Sequence, residues 1–355
     1  SPAQNRVYNN SKFAADFSGV LHTKNFNKNF VFSPVSLEMI FATVLNGAAG
    51  NTKKQIQKQI FDCKRSYCPH ITEYMRSLLK ASQEYESYYT TLKYATVLAI
   101  NERLAVKEKF LNDTKKNFPH AKFERDDFGS RGDKVVTDIN QIVADSTESL
   151  IKDFLPHGSL NANTAMVLVN ALYFKSFFRE SFPETVVGDF TEIGKQGRIV
   201  HRVKFLQGTF QDIPYYEKDG FSMIGLPFDL VYLKLYVAIQ KSNYRIDIAD
   251  VKLPKFTMEY TAEKMLDNMN LLNITDIFNQ SVADLSLLFK HGQREVAVSD
   301  IRHKVVIDAI KFKISICFYE GFHAWLRPTK KTTCFLKILY NKHTWRIIIQ
   351  LIVKE

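Results

Sequence analysis

The order of helical and strand patterns along the sequence predicts a mixed α+β fold. Helical periodicity dominates residues 4–153, whereas strand patterns and hairpins dominate residues 164–353. Helices and strands do not alternate regularly, which argues against a doubly wound parallel sheet. The chain has 355 residues, 45% of them hydrophobic, and no linker-like or repetitive segment divides it. This much apolar material can form one large core, so we predict a single domain over residues 1–355.

The first part of the chain consists mainly of amphipathic helices separated by short strands. Residues 4–23 place apolar side chains at helical spacing. Pro34 is expected to end a short buried strand, and Ser36 to cap the helix that follows; Gly47 and Gly50 then end that helix. The other elements predicted here are strands over 29–34 and 92–100, and helices from residue 51, over 70–85, over 107–118 and over 134–153.

Strands dominate the second part of the chain. Residues 164–178 form a continuous apolar run, which is typical of a strand that is buried on both faces. Further strands are predicted over 198–216, 221–228, 232–240 and 250–261, with a helix over 262–269 and strands at the end of the chain.

The motifs that the sequence lacks disfavour several classes of function. The longest apolar runs, such as 165–174, have ten residues or fewer, whereas a membrane helix needs about 20. Nucleophile elbows, zinc-protease motifs and phosphate-binding glycine loops are missing, so we expect no enzyme and no cofactor. Cys63 and Cys68 have no partner pair downstream and make a poor zinc site. No zinc-finger, basic-zipper or RNA-binding pattern predicts a nucleic-acid partner.

Two features bear on the cellular location. The N-terminus has no basic segment followed by an apolar one, so the chain is either cytosolic or a secreted protein whose signal peptide has been removed. Four N-x-S/T sequons favour secretion to the extracellular space, and their asparagines, the glycosylation candidates, are Asn9, Asn112, Asn273 and Asn279. The four cysteines are too few for a disulfide framework, which leaves free thiols or at most one bridge.

Positive charge is concentrated at the end of the chain. The net charge is +11, and residues 301–355 contribute eleven Lys and Arg against three Asp and Glu, which is +8. Such a basic C-terminal face can attract a sulfated polysaccharide or another polyanion. The alternative is a solvated face that keeps the protein soluble.

Several blocks of sequence occur in one order along nearly the whole chain. They are NFVFSPVSLEMIFATVLNGAAGNTKKQI (29–56), VLVNALYFKSFFRESF (167–182), IPYYEKDGFSMIGLP (213–227), KLPKFTMEY (252–260) and VSDIRHKVVID (298–308). Together they resemble the serpins, a family of serine protease inhibitors. The resemblance implies a fold of about eight or nine helices packed on three β-sheets, a monomeric state, and an exposed reactive loop, shortened here, over about 311–333.

The resemblance also implies a role for a polar cluster beneath the main sheet. By motif match this sheet-opening cluster contains Ser33, Pro34, Ser36, Asn170 and His303. Polar side chains between buried strands are tolerated only when their hydrogen bonds are satisfied.

One position beside this cluster departs from the family. Phe178 stands where the family has a Trp, in the breach region where a loop would begin to insert.

In an inhibitory serpin, a protease cuts the reactive loop, which then inserts as an extra strand into the main sheet and traps the enzyme. The hinge that enters first has small residues in the family. Here the aligned hinge consists of Lys311, Phe312, Lys313, Ile314, Ser315, Ile316, Cys317 and Phe318. The resemblance therefore predicts slow or blocked insertion.

The loop is also shorter than in a usual inhibitory member, with 23 residues from Lys311 to Cys334. The family's spacing places the scissile bond at Arg327–Pro328, where the proline resists trypsin-like proteases. If the deletion precedes that point, Lys330 or Lys331 becomes the candidate.

We therefore predict a secreted, non-inhibitory serpin. It would act as a binding or regulatory protein in a protease-controlled pathway such as innate immunity or clotting. The resemblance also suggests that it is an insect serpin of the haemolymph. One alternative is an inhibitor that traps a trypsin-like serine protease through Arg327 or Lys330. The other is a carrier or polyanion-binding serpin.

Overall fold

The computed structural model describes most of the chain. The described residues are 11–24, 29–63, 71–84, 90–179, 182, 184–194, 197–210, 213–218, 221–228, 233–240, 251–254, 257–262, 264–291, 295–308, 333–341 and 344–352.

Helices occupy mainly the first half of this described part. The α-helices are α1 (Ser11–Lys24), α2 (Pro34–Leu45), α3 (Gly50–Gln59), α4 (Ile71–Glu84), α5 (Glu108–Asn117), α6 (Phe128–Ser146) and α7 (Met265–Leu271), and a 3-10 turn, η1, covers Asp276–Phe278. Among the described residues, no helix is both long and apolar enough to span a bilayer.

Three β-sheets complete the fold and confirm the α+β prediction. The main sheet has the strand order β11 (Thr257–Ala262), β12 (Asp300–Asp308), β4 (Met166–Ser176), β2 (Thr90–Asn101) and β3 (Ala121–Asp126). A six-stranded sheet has the order β1 (Phe30–Phe32), β14 (Thr344–Ile352), β13 (Thr333–Asn341), β9 (Leu233–Gln240), β8 (Phe221–Pro227) and β7 (Tyr215–Lys218). The third contains β10 (Val251–Pro254), β6 (Gly197–Gly208) and β5 (Glu184–Gly194).

The two faces of the main sheet are covered by different helices. In β4, Leu168 and Phe174 pack into the core that contains α2, whereas Val169 and Tyr173 pack against α6 on the other face. This alternation follows from the two-residue period of a strand. Because apolar residues occupy both faces, the sequence reads as a continuous apolar run, as predicted.

Helix α2 begins three residues earlier than the sequence suggested. Ser33, not Ser36, is the N-cap, and its side chain accepts a hydrogen bond from the Ser36 amide. Pro34 occupies the first helical turn, where its missing N–H is not needed. The proline therefore starts this helix as well as following the strand, and the predicted cap at Ser36 was wrong. All twelve residues of α2 are buried.

Helix α6 also begins earlier than the predicted Lys134. The helix starts at Phe128, six residues further upstream, and is capped by the Asp127 carboxylate, which accepts hydrogen bonds from the Gly129 and Ser130 backbone amides. Arg131 has non-helical backbone angles inside it and forms an ion pair with Asp126. The apolar pattern begins only after this distorted first turn, so periodicity alone misplaced the start.

Gly132 fixes how closely α6 approaches the chain that follows it. A Cβ atom at this position would lie 2.5 Å from the Leu160 carbonyl oxygen. We expect Gly132→Ala to lower the free energy of unfolding by about 1–3 kcal/mol, because backbone must move to relieve the contact. The measurement is denaturant-induced unfolding.

The matched control is Gly19→Ala in α1, where an added Cβ meets nothing within 4 Å. It should leave stability unchanged or raise it by up to about 1 kcal/mol. Equal effects of the two substitutions would contradict the close approach at Gly132.

Candidate functional site: the opening region of the main sheet

A row of polar residues crosses the centre of the main sheet. Asn170 in β4 pairs directly with His303 in the parallel strand β12 and with Thr96 in the antiparallel strand β2. All three side chains belong to buried residues, and Asn170 and His303 are completely inaccessible to solvent. Their shared register places them on one face of the sheet, towards the start of α2.

Hydrogen bonds join this row to α2. The Ser33 amide donates to Nε2 of His303 at 3.2 Å, and Nδ1 of His303 lies 2.9 Å from Oδ1 of Asn170. The side-chain Nδ2 of Asn170 in turn donates to the backbone carbonyl of Ser36 at 2.9 Å. An N–H can only donate, so Nε2 must be the acceptor and Nδ1 must carry the proton that is donated to Asn170.

The network requires a neutral imidazole. Complete burial lowers the pKa of His303 from its ordinary 6.5 to about 3. A second proton, on Nε2, would also point at the Ser33 N–H and lose the hydrogen bond at 3.2 Å. The structure thus brings together four of the five residues of the predicted sheet-opening cluster as hydrogen-bonding partners. Pro34, the fifth, starts the helix that carries two of them.

The main sheet is closed at this site. Strands β4 and β12 pair in parallel over nine positions, from Asp300 opposite Val167 to Asp308 opposite Lys175. The chain leaves β12 after Asp308, at the end where β4 also finishes. A segment that folded back from there between the two strands would run antiparallel to both and would have to break this ladder.

Phe178 lies just beyond β4 in an aromatic cluster. Its ring stacks on Phe228 with centroids 4.5 Å apart and meets Phe182 edge-on at 5.6 Å. Phe228 also contacts Phe174 in β4 edge-on at 5.6 Å. Phe178 is therefore a buried core residue, and its role at the breach stays a prediction. Sequence reasoning did not find its contact with Phe228, which comes from a distant part of the chain.

The residues predicted to form the reactive loop fall outside the described residues. These are the hinge from Lys311 to Phe318 and the scissile candidates Arg327, Pro328, Lys330 and Lys331. The chain is described again in β13, which pairs with β9 and β14. Asn9 also lies outside the described part, whereas Asn112, Asn273 and Asn279 are exposed.

Sequence reasoning missed Thr96, the third member of the polar row. Its only signal was a threonine within the otherwise apolar stretch of β2, and strand register could not be assigned from sequence alone.

The sequence model of the family described as "Serpin (serine protease inhibitor)" matches residues 8–243 and 235–311. This chain belongs to the serpin family. The resemblance inferred from the sequence blocks is confirmed, and the family is one of protease inhibitors rather than of enzymes.

Curated relatives support the assignment along most of the chain. This serpin is 28% identical to Serpin B9 of Homo sapiens over 329 residues, which cover 83% of each chain. It is 29% identical to leukocyte elastase inhibitor A of Rattus norvegicus over 329 residues, with 84% of each chain covered.

Solved structures share the fold. Uncleaved ovalbumin superposes with a TM-score of 0.73 at 20% identity, covering 89% of this chain and 87% of ovalbumin. A Manduca sexta serine protease inhibitor, serpin-12, superposes with a TM-score of 0.71 at 22% identity, covering 85% and 88% of the two chains.

Asn170→Ala tests whether the network holds the closed sheet. The substitution leaves the His303 N–H without a partner in a dry interior and removes the bond from Asn170 to the Ser36 carbonyl, so we expect stability to fall by about 1–3 kcal/mol. Denaturant unfolding at neutral pH measures this loss. Asn163→Ala, which removes the same atoms from an exposed side chain, should change stability by less than about 0.5 kcal/mol. Similar losses for both variants would count against the network.

The depressed pKa of His303 makes stability depend on pH. An unfolded chain binds the proton near pH 6.5, whereas the folded protein resists it until about pH 3. The contribution is therefore complete above pH 6.5 and falls by slightly more than 1 kcal/mol per pH unit on acidification towards pH 3.

Unfolding of the wild type and of His303→Gln between pH 7 and pH 4 measures this slope. Glutamine can accept a hydrogen bond from Ser33 and donate one to Asn170, but it does not titrate. On acidification the free energy of unfolding of the variant should therefore fall less steeply than that of the wild type, by about 1 kcal/mol per pH unit. Parallel pH profiles would show that His303 does not titrate as described.

Proposed function

We propose that this serpin has lost efficient protease trapping and acts as an extracellular binding or regulatory protein in a protease-controlled pathway such as innate immunity or clotting. One observation carries the proposal. The match to the family model ends at residue 311, where Lys311, Phe312 and Lys313 begin the hinge. The sheet-opening cluster upstream is complete, so the departure concerns the loop and not the sheet that would receive it.

The closed ladder defines what insertion would require. A new strand must separate β4 from β12 and place every second side chain towards α2. That space is already filled, because Val305 and Ile307 in β12 and Leu37 in α2 have no solvent exposure. Small hinge side chains could enter such a space with little rearrangement, whereas bulky ones would overpack it.

The hinge sequence is unfavourable by this criterion. If Ile314 is the first residue to enter, the inward positions are Ile314, Ile316, Phe318 and Glu320. Phe318 would need a volume that a small residue does not, and an unpaired Glu320 carboxylate would be strongly destabilising in a dry interior. Slow insertion favours release of the protease, because the acyl-enzyme is hydrolysed before the cut loop has inserted and distorted the protease.

The extracellular part of the proposal has two supports. Cys63 is disulfide-bonded, and disulfides persist mainly in oxidising compartments. In addition, three of the four sequon asparagines, at 112, 273 and 279, are exposed in the folded protein.

A working inhibitor is the second candidate. Curated relatives include leukocyte elastase inhibitors of several mammals, and the sheet-opening cluster of this chain has the hydrogen bonds described above. Such an inhibitor would use Arg327 or Lys330 against a trypsin-like protease.

Polyanion binding is the third candidate, supported by the +8 charge of residues 301–355. It predicts retention on heparin that weakens steeply as salt is added. Elution at low salt, like that of a protein without a basic patch, would argue against it.

Cleavage of the reactive loop tests whether this serpin traps proteases. After incubation with trypsin-like and elastase-like proteases, we expect no complex that survives SDS, and a change in melting temperature below about 5 °C when the loop has been cut within 311–333. A covalent complex together with a large rise in melting temperature would overturn the proposal.

A variant with a family-like hinge tests whether the hinge residues are what blocks insertion. The quadruple variant Lys311→Glu, Lys313→Gly, Phe318→Ala and Glu320→Ala should insert after cleavage and melt at a much higher temperature. It changes the net charge by −2, so the exposed Lys115→Glu, which also changes it by −2, is the matched control and should behave like the wild type.

A further inference from the structure

A groove of about 500 Å³ separates α1 from the end of α7. One wall comes from α1, where Gly19 leaves open space because an added Cβ would meet nothing within 4 Å. The other wall carries Leu271, whose exposure of 57% is unusual for a leucine. The Lys12–Asp16 ion pair and Gln59 add polar groups to the lining. The groove therefore combines an apolar surface with hydrogen-bonding groups.

Asn273 lines this groove and is held in a defined position. Its φ of +58° is left-handed, a conformation that asparagine tolerates better than most residues. The backbone N–H of Asn273 donates to the Asn270 carbonyl, and the backbone N–H of Ile274 donates to the Met269 carbonyl. Together these two bonds form a Schellman motif at the end of α7. Ile274 is fully buried and anchors the turn, while the Asn273 side chain is exposed.

Asn273 also begins the sequon Asn273-Ile274-Thr275. The other described sequons differ in their surroundings. Thr114, the hydroxyl residue of the Asn112 sequon, is fully buried inside α5. The Asn279 side-chain oxygen accepts a hydrogen bond from the Ser281 backbone amide. Asn273 combines an exposed acceptor with an adjoining groove that can seat a sugar.

We propose that Asn273 carries an N-linked glycan whose first sugars lie in the groove between α1 and α7 and cover Leu271. In the transfer, Nδ2 of Asn273 loses a proton and bonds to the anomeric carbon of an oligosaccharide linked to a lipid diphosphate. The bond from that carbon to phosphate oxygen breaks, and the lipid diphosphate leaves. The apolar faces of the sugar rings pack on Leu271, and their hydroxyls reach Lys12, Asp16 and Gln59.

The glycan lies far from the end of the sheet where the reactive loop starts. The Ile277 carbonyl, four residues after Asn273, accepts from the Val298 amide just before β12 begins. The nine residues of β12 then lead away over about 30 Å at roughly 3.3 Å per residue. A glycan on Asn273 would therefore lie well away from Asp308, where β12 ends.

The modification rests on the secretory route proposed above, so the experiment imposes that route. The full chain is expressed behind a signal peptide in eukaryotic cells, and glycopeptides are mapped by mass spectrometry. We expect most chains to carry a glycan on Asn273. An unmodified Asn273 in secreted protein would overturn the inference, without bearing on protease trapping or on the natural location.

Two variants separate attachment from loss of structure. Asn273→Gly removes the acceptor but suits the left-handed turn, so the protein should fold and lack this glycan only. Thr275→Ser keeps the sequon hydroxyl and should keep the glycan. Loss of the glycan in both variants, or in neither, would contradict attachment at Asn273.

A side chain placed in the groove tests whether the first sugars of the glycan lie there. Enzymatic removal of the glycan should speed hydrogen exchange of the amides around Gly19 and lower the melting temperature by about 2 °C. In Gly19→Leu, where a side chain occupies the groove, the glycan should still attach but its removal should change neither quantity. An equal response in the wild type and in Gly19→Leu, or none in the wild type, would show that the sugars do not lie in the groove.

Discussion

The hydrogen bond between His303 and Asn170 is the constraint on which the arrangement of the main sheet depends. It joins the parallel strands β4 and β12, which loop insertion as proposed above would have to separate, and it is 2.9 Å long in an environment without solvent. Each partner has a second bond, to Ser33 or to Ser36 at the start of α2. Buried polar groups are costly unless every one is satisfied, so the register of β4 and β12 and the position of α2 are fixed together.

This constraint acts on the sheet and not on the loop. The network is complete with the sheet closed, and nothing in it depends on which residues follow β12. The chain could therefore keep the fold and its stability while its hinge acquired Lys311, Lys313 and Phe318. In the function proposed above, their effect would appear only when the loop had to occupy a space already filled by Leu37, Val305 and their neighbours.

Much of this architecture could be predicted from the sequence. The α+β class followed from the order of helical and strand patterns. The three sheets and the membership of Ser33, Ser36, Asn170 and His303 in one cluster followed from the resemblance of the sequence blocks to the serpins. The misplaced starts of α2 and α6 have different causes. Pro34, predicted to end a strand, instead starts α2 directly after the cap at Ser33. In α6 the cap is Asp127, and the apolar periodicity becomes visible only after the distorted first turn.

Contacts between distant segments could not be predicted. Thr96 joins the polar row only through its register with Asn170. The stacking of Phe178 on Phe228 depends on how the chain returns to the end of β4. The groove beside Asn273 likewise exists only because α1 and α7 pack together, so its sequon looked like the other three.

Hydrogen exchange of the cleaved loop tests the central claim most directly, because it reports on insertion itself. After cleavage within residues 311–333, backbone amides of the hinge should exchange as fast as before, and the amides of β4 and β12 should keep the protection of a closed parallel ladder. Strong new protection of the amides from Ile314 to Glu320 would mean that the loop had entered the main sheet. That result would contradict a serpin that keeps the fold of its family but not the trap.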